Sequence, residues 1–77
     1  MSPENKAVFQ ECRQYYLIML TEGRPRGISY QQRMNLEKAI AEEFQSGFTA
    51  NRDCEACINS MMSLAYYYYD TYEAGKH

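Results

Sequence analysis

The segment Cys54-Glu55-Ala56-Cys57 places two thiols at Cys-x-x-Cys spacing, just ahead of the run Tyr66-Tyr67-Tyr68-Tyr69. Thiols so spaced can supply one half of a zinc tetrahedron, exchange with a disulfide, or simply pack. Zinc needs a second pair of ligands. Cys12 and His77 are the remaining candidates, and they are not spaced as a pair, so a metal shared between subunits is the form such a site would take. For redox work, a helix start at Cys54 favours the thiolate through the helix dipole. Asp53 and Glu55 oppose it, and the strand-helix context of a thioredoxin-type dithiol is missing. Packing is the favoured reading: a free cysteine on an apolar stripe behaves as a small hydrophobe. No cofactor and no metal are expected.

Other chemistry has little to stand on. The sole histidine is His77, and the carboxylates, Glu42-Glu43 included, look like solvated surface. Gly23-Arg24-Pro25-Arg26-Gly27 carries two cations but fits no nucleotide-binding spacing. It reads as a basic turn, with Arg24 and Arg26 as candidate contacts for an anion. Enzyme activity is not expected.

The helix ends are explicit. Ser2-Pro3 caps and starts a first helix, about 3–22, which Gly23 ends. Ser29-Tyr30-Gln31-Gln32 has the form of a capping box and opens a second, about 30–46. Asp53 or Asn51 caps a third, about 54–73, and Thr49 to Arg52 forms the connection before it. No run alternates with period two, so no strand is predicted. The fold class is all-α: a small three-helix bundle or helical array, as one domain over 1–77.

At about 100° per residue, Cys54, Cys57, Ile58, Met61, Leu64, Ala65, Tyr68, Tyr69 and Tyr72 share one face of the third helix. Val8, Phe9, Cys12, Tyr15, Tyr16, Met19 and Leu20 share one face of the first, and Tyr30, Met34, Leu36, Ile40, Ala41 and Phe44 point inward from the second. Leu17, Ile18, Tyr66 and Tyr67 fall outside these stripes and form a surplus set for a partner surface. Arg33 and Glu37, four apart, are placed to pair at the core edge. The alternative role for Arg33 is recognition of a partner's carboxylate or phosphate.

The order Phe44…Asn51-Arg52-Asp53-Cys54…Cys57-Ile58…Tyr66 to Asp70 resembles the C-terminal half of short helical proteins encoded by bacteriophages and prophages of gut bacteria. The resemblance rests on Asp53, Cys54, Cys57 and Ile58 and covers about a third of the chain. It implies viral origin and a role in binding or assembly.

Composition bounds the partner. With 77 residues, 45% hydrophobic and 23% charged, and a net charge of −2, the chain has no basic footprint for phosphates. Nucleic acid is disfavoured as a partner, and no apolar run approaches the roughly 20 residues of a membrane span. The absence of a secretory signal and the odd cysteine count predict reduced thiols, in the host cytoplasm or a virion. The reading is a non-enzymatic protein-interaction module, in the virion or against a host defence complex, and a homo-oligomer. Its alternatives are an oligomeric sponge for a nucleotide, stacked between tyrosines with Arg24, Arg26 or Arg33 alongside, and a zinc or redox protein using Cys54 and Cys57.

Overall fold

The computed structural model describes residues 1–51 and 53–75. Arg52 in the second connection and His77 as a ligand lie outside them. Three helices, α1 (Pro3–Glu22), α2 (Tyr30–Glu43) and α3 (Glu55–Ala74), are all in mutual contact as a small three-helix bundle. There is no strand among the described residues.

The predicted N-caps of α1 and α2 form, whereas α3 is capped by Cys54 and not by Asp53 or Asn51. The Ser2 hydroxyl accepts the Asn5 N–H at 3.2 Å, with Pro3 opening α1. Gly23, at φ 85°, ends it and donates its N–H to the Met19 carbonyl at 2.8 Å. A residue with a Cβ would be strained there. At α2 both arms of the capping box are present: the Ser29 hydroxyl accepts the Gln32 N–H at 3.0 Å, and the Gln32 side chain accepts the Ser29 N–H at 2.9 Å.

α2 stops at Glu43, three residues short of Ser46. Phe44 leaves helical geometry as its cap, and its ring stacks on Tyr68 at 5.1 Å and meets Phe9 edge-on at 5.7 Å. Phe9 in turn stacks on Tyr69 at 5.1 Å. These rings close the core around the fully buried Cys12, Leu36, Ile40 and Met62.

α1 and α3 run antiparallel. The Asn59 amide, early in α3, donates to the Gly23 carbonyl at 2.8 Å, while further along Asp70 pairs with Arg13. The buried face of α3 is Ile58, Met61, Met62, Ala65, Tyr66 and Tyr69. This is rotated roughly 60° from the stripe read off the sequence, at about 100° per residue. Inward assignments change with it on α3, and others change on α1 and α2. Leu64 is only half-buried, and Leu20, Tyr30 and Met34 stand 61%, 50% and 37% exposed.

Tyr66, assigned to the surface from the sequence, is 1% exposed. Its hydroxyl donates to the Phe9 carbonyl at 2.7 Å, and its ring stacks on Tyr16 at 4.8 Å. A tyrosine can enter a core when its one polar atom finds an acceptor. Here the Phe9 carbonyl is that acceptor.

Candidate functional site

The residues singled out by sequence distribute over two open clefts, one cysteine pair and the outer side of α1. The first cleft, about 500 Å³, lies where the α1–α2 turn meets the start of α3. It gathers Arg24, Arg26 and Arg33 opposite Asp53, Glu55 and Ile58. The turn positions the cations: Pro25 is buried, Ile28 donates its N–H to the Pro25 carbonyl at 3.2 Å, and Gly27 takes φ 95°.

The three arginines differ in what they hold. Arg26 grips Glu22 with two hydrogen bonds, at 2.8 and 2.9 Å, which lowers the Glu22 carboxyl below its ordinary value. Arg33 donates from Nε to the Ser29 carbonyl and lies over the Tyr30 ring, 5.6 Å from its centre. The Glu37 carboxylate accepts the Ala50 N–H at 3.2 Å, tying the second connection to α2. Arg24 makes no ion pair among the described residues.

The cysteines do not pack as free thiols. Cys54 and Cys57 are joined as a disulfide, and only Cys12 remains a buried free thiol. Cys54 lies outside the helix, as its cap, with extended backbone, and its sulfur accepts the Cys57 N–H at 3.2 Å. A cap residue does not follow the helical wheel, so the sequence reading that placed Cys54 on the α3 stripe assigned it the wrong direction. Both cysteines are half-buried, whereas burial pushes the Cys12 thiol up to about 11. Among the described residues no three of His, Cys, Asp and Glu are grouped as a metal requires.

The second cleft, about 490 Å³, runs between α1 and α3 and is lined by Tyr16, Ser63, Tyr66, Tyr67 and Asp70. The surplus set does not converge on it. Leu17 and Tyr67 are 52% and 68% exposed, Ile18 is half-buried, and Tyr66 is in the core. Leu20 joins the exposed residues instead. Along α1, Leu17 and Leu20 come one turn after Arg13 and Tyr16, which face α3, so this flank carries Leu17, Leu20 and Tyr67 together. Within one chain Tyr66 and Tyr67 do not line the arginine cleft.

Two polar clusters escaped the sequence reading. The Arg13 guanidinium lies 4.9 Å and 5.6 Å from the centres of the Tyr66 and Tyr69 rings while bonded to Asp70. Asn5 is buried and donates to Glu42 at 3.0 Å and to Glu43 at 2.7 Å. Glu43 also accepts the Ser2 N–H, and with Asn5 this holds its carboxyl below the ordinary range. Glu43 is therefore a link between α1 and α2 and not solvated surface. The available signal was an asparagine on the apolar side of α1.

No helix among the described residues is long and apolar enough to cross a membrane. The chain matches no family model, no curated protein and no solved structure.

Proposed function

We propose that the chain is a non-enzymatic protein-interaction module that docks a partner protein along the α1–α3 flank. One observation carries the reading: Leu17 and Leu20 on α1 and Tyr67 on α3 are large apolar side chains at 52%, 61% and 68% exposure, Tyr67 lines an open cleft, and helical spacing puts the two leucines on the side of α1 that carries Arg13 and Tyr16. Single exposed leucines are ordinary, but an apolar group rimmed by polar side chains such as Arg13 and Asp70 has the composition of a contact surface. Tyrosine suits the centre of such a surface, since a rigid ring gives contact area at small entropic cost. A phage or prophage origin, with a target in the virion or in a host defence complex, is supported by the pattern around Asp53 to Ile58.

The test is a double substitution, Leu17→Asp with Tyr67→Ser, compared with wild type in capture from bacterial lysate and in sedimentation. Helicity and melting are expected to stay as in wild type while partner capture, or self-association if the partner is a second copy, is lost. Retention of every bound species by the double variant would refute the docking flank. Tyr30→Ser, on the exposed side of α2, serves as the control and is expected to bind as wild type.

A further inference from the structure

The cysteine pair lies at the start of α3, and the docking proposed for Leu17, Leu20 and Tyr67 gives its sulfurs no chemical role. We propose that Cys54 and Cys57 form a thiol–disulfide exchange site open to small anionic disulfides of the glutathione class, with Cys54 as the attacking sulfur and Cys57 as the resolving one.

Position assigns the roles. Cys54 is the helix cap, and its sulfur already receives the Cys57 N–H at 3.2 Å. In the reduced form the same N–H, together with the dipole of a 20-residue helix, stabilises negative charge on that sulfur against the opposing charges of the exposed Asp53 and Glu55. Cys57 lies within the first turn, three residues on. The Cα atoms are 5.2 Å apart, within the range a disulfide spans without backbone movement. Access distinguishes this pair from the third cysteine: Cys54 and Cys57 are half-buried with exposed Glu55 and Ala56 between them, whereas Cys12 is fully covered.

The neighbouring cleft selects the co-reactant. Asp53, Glu55 and Ile58, the immediate sequence neighbours of the two cysteines, line it together with Arg24, Arg26 and Arg33. Arg26 is already paired with Glu22, so these charges balance overall, and Arg24, which has no ion pair among the described residues, is the cation that an anionic group can meet. A carboxylate of oxidised glutathione matches the Arg24 charge.

The exchange balances. The Cys54 thiolate attacks one sulfur of oxidised glutathione, forming a mixed disulfide and expelling a glutathione thiolate, which takes a proton from water. The Cys57 thiol then gives its proton to solvent and its sulfur attacks that of Cys54. This closes the Cys54–Cys57 bond and expels the second glutathione, which is protonated in turn. Two protein thiols are oxidised, one glutathione disulfide is reduced, and two electrons pass between them.

Full-length protein is reduced, freed of reductant and mixed with oxidised glutathione, and products are read by intact mass. Cys57→Ser is expected to accumulate the mixed disulfide on Cys54, and Cys54→Ser to accumulate little. Cys54→Ser keeps a side chain that caps helices well, so its fold is retained. Trapping on Cys57 in preference to Cys54, or no trapping in either variant, overturns the assignment. If Cys57→Ser loses helicity, iodoacetamide labelling of reduced wild type decides: Cys54 modified first supports the proposal, and equal or preferential labelling of Cys57 overturns it. Arg24→Glu is expected to slow oxidation by glutathione disulfide several-fold and to leave oxidation by the neutral 2-hydroxyethyl disulfide unchanged. Equal rates with wild type for both reagents would remove the anionic co-reactant.

Discussion

Tyr66 directs a side chain inward through one polar atom. Its ring is covered by Tyr16, Phe9 and the Arg13 guanidinium, and its hydroxyl is spent on the Phe9 carbonyl. Tyr66→Phe keeps the ring and removes the hydrogen bond, so it is expected to cost about 0.5–1.5 kcal/mol in urea unfolding. Tyr66→Ala empties the site and is expected to cost about 3–5 kcal/mol. A loss below about 0.5 kcal/mol for Tyr66→Ala would contradict a core position. Titration follows from the same burial. Desolvation raises Tyr66 and, to about 11, Cys12, so in the folded state both stay neutral where the unfolded chain has begun to ionise. Above the ordinary thiol value of 9.0 the unfolded chain therefore holds fewer protons, and stability falls as pH rises. Glu43 works in the other direction. The Asn5 amide, the strongest influence on it, depresses its folded value, so its contribution is present above the ordinary 4.5 and is lost as pH falls through the folded value. Urea midpoints against pH should decline at both ends, and Glu43→Gln should flatten the acid limb alone. An acid limb as steep in Glu43→Gln as in wild type would reassign it.

Element boundaries were legible at both ends of α1 and at the start of α2, and not at the end of α2 or the start of α3, where Phe44 and Cys54 are the caps. Ser2-Pro3, Ser29 with Gln32, and Gly23 each meet a local backbone requirement, and the structure satisfies each with the hydrogen bond the signature anticipates. Ser29→Ala removes the acceptor of the Gln32 N–H and is expected to cost about 1 kcal/mol, read by urea unfolding, with the helices otherwise retained. A variant as stable as wild type would mean that solvent serves that N–H equally well. Faces were less legible than ends. The α3 stripe was phased on Cys54 and Cys57 as buried hydrophobes, which turned Tyr66 outward, and the cap geometry of Cys54 was the missing constraint. On α2, Tyr30 and Met34 were assigned to the core by residue type, although Leu36, Ala39 and Ile40 define a different side. Of the candidate sites, the convergence of Arg24, Arg26 and Arg33 could not be read from spacing, because it depends on how the α1–α2 turn meets α3 in space.

The whole molecule closes on itself. Its radius of gyration, 11.6 Å, is close to the roughly 11.5 Å of a compact chain of this length. Its accessible surface, 4649 Å², lies slightly below the about 4,900 Å² typical of a folded monomer of its mass. One copy thus reaches ordinary compactness unaided, so a partner on the α1–α3 flank would add to a finished fold and not complete one. The disulfide likewise adds to that fold. It closes a loop with a sequence separation of only 3, and the chain-entropy treatment assigns so short a loop about 2 kcal/mol. Domains of this size are ordinarily stable by roughly 4–12 kcal/mol at the usual per-residue values. Reduction should therefore weaken the bundle without dissolving it, which is also what an exchange site at the start of α3 requires. In dithiothreitol the far-ultraviolet circular dichroism is expected to stay helical, with the urea midpoint lowered. A reduced chain that unfolds would show that the three-helix core does not stand without the covalent link, and would leave no folded dithiol to act in exchange.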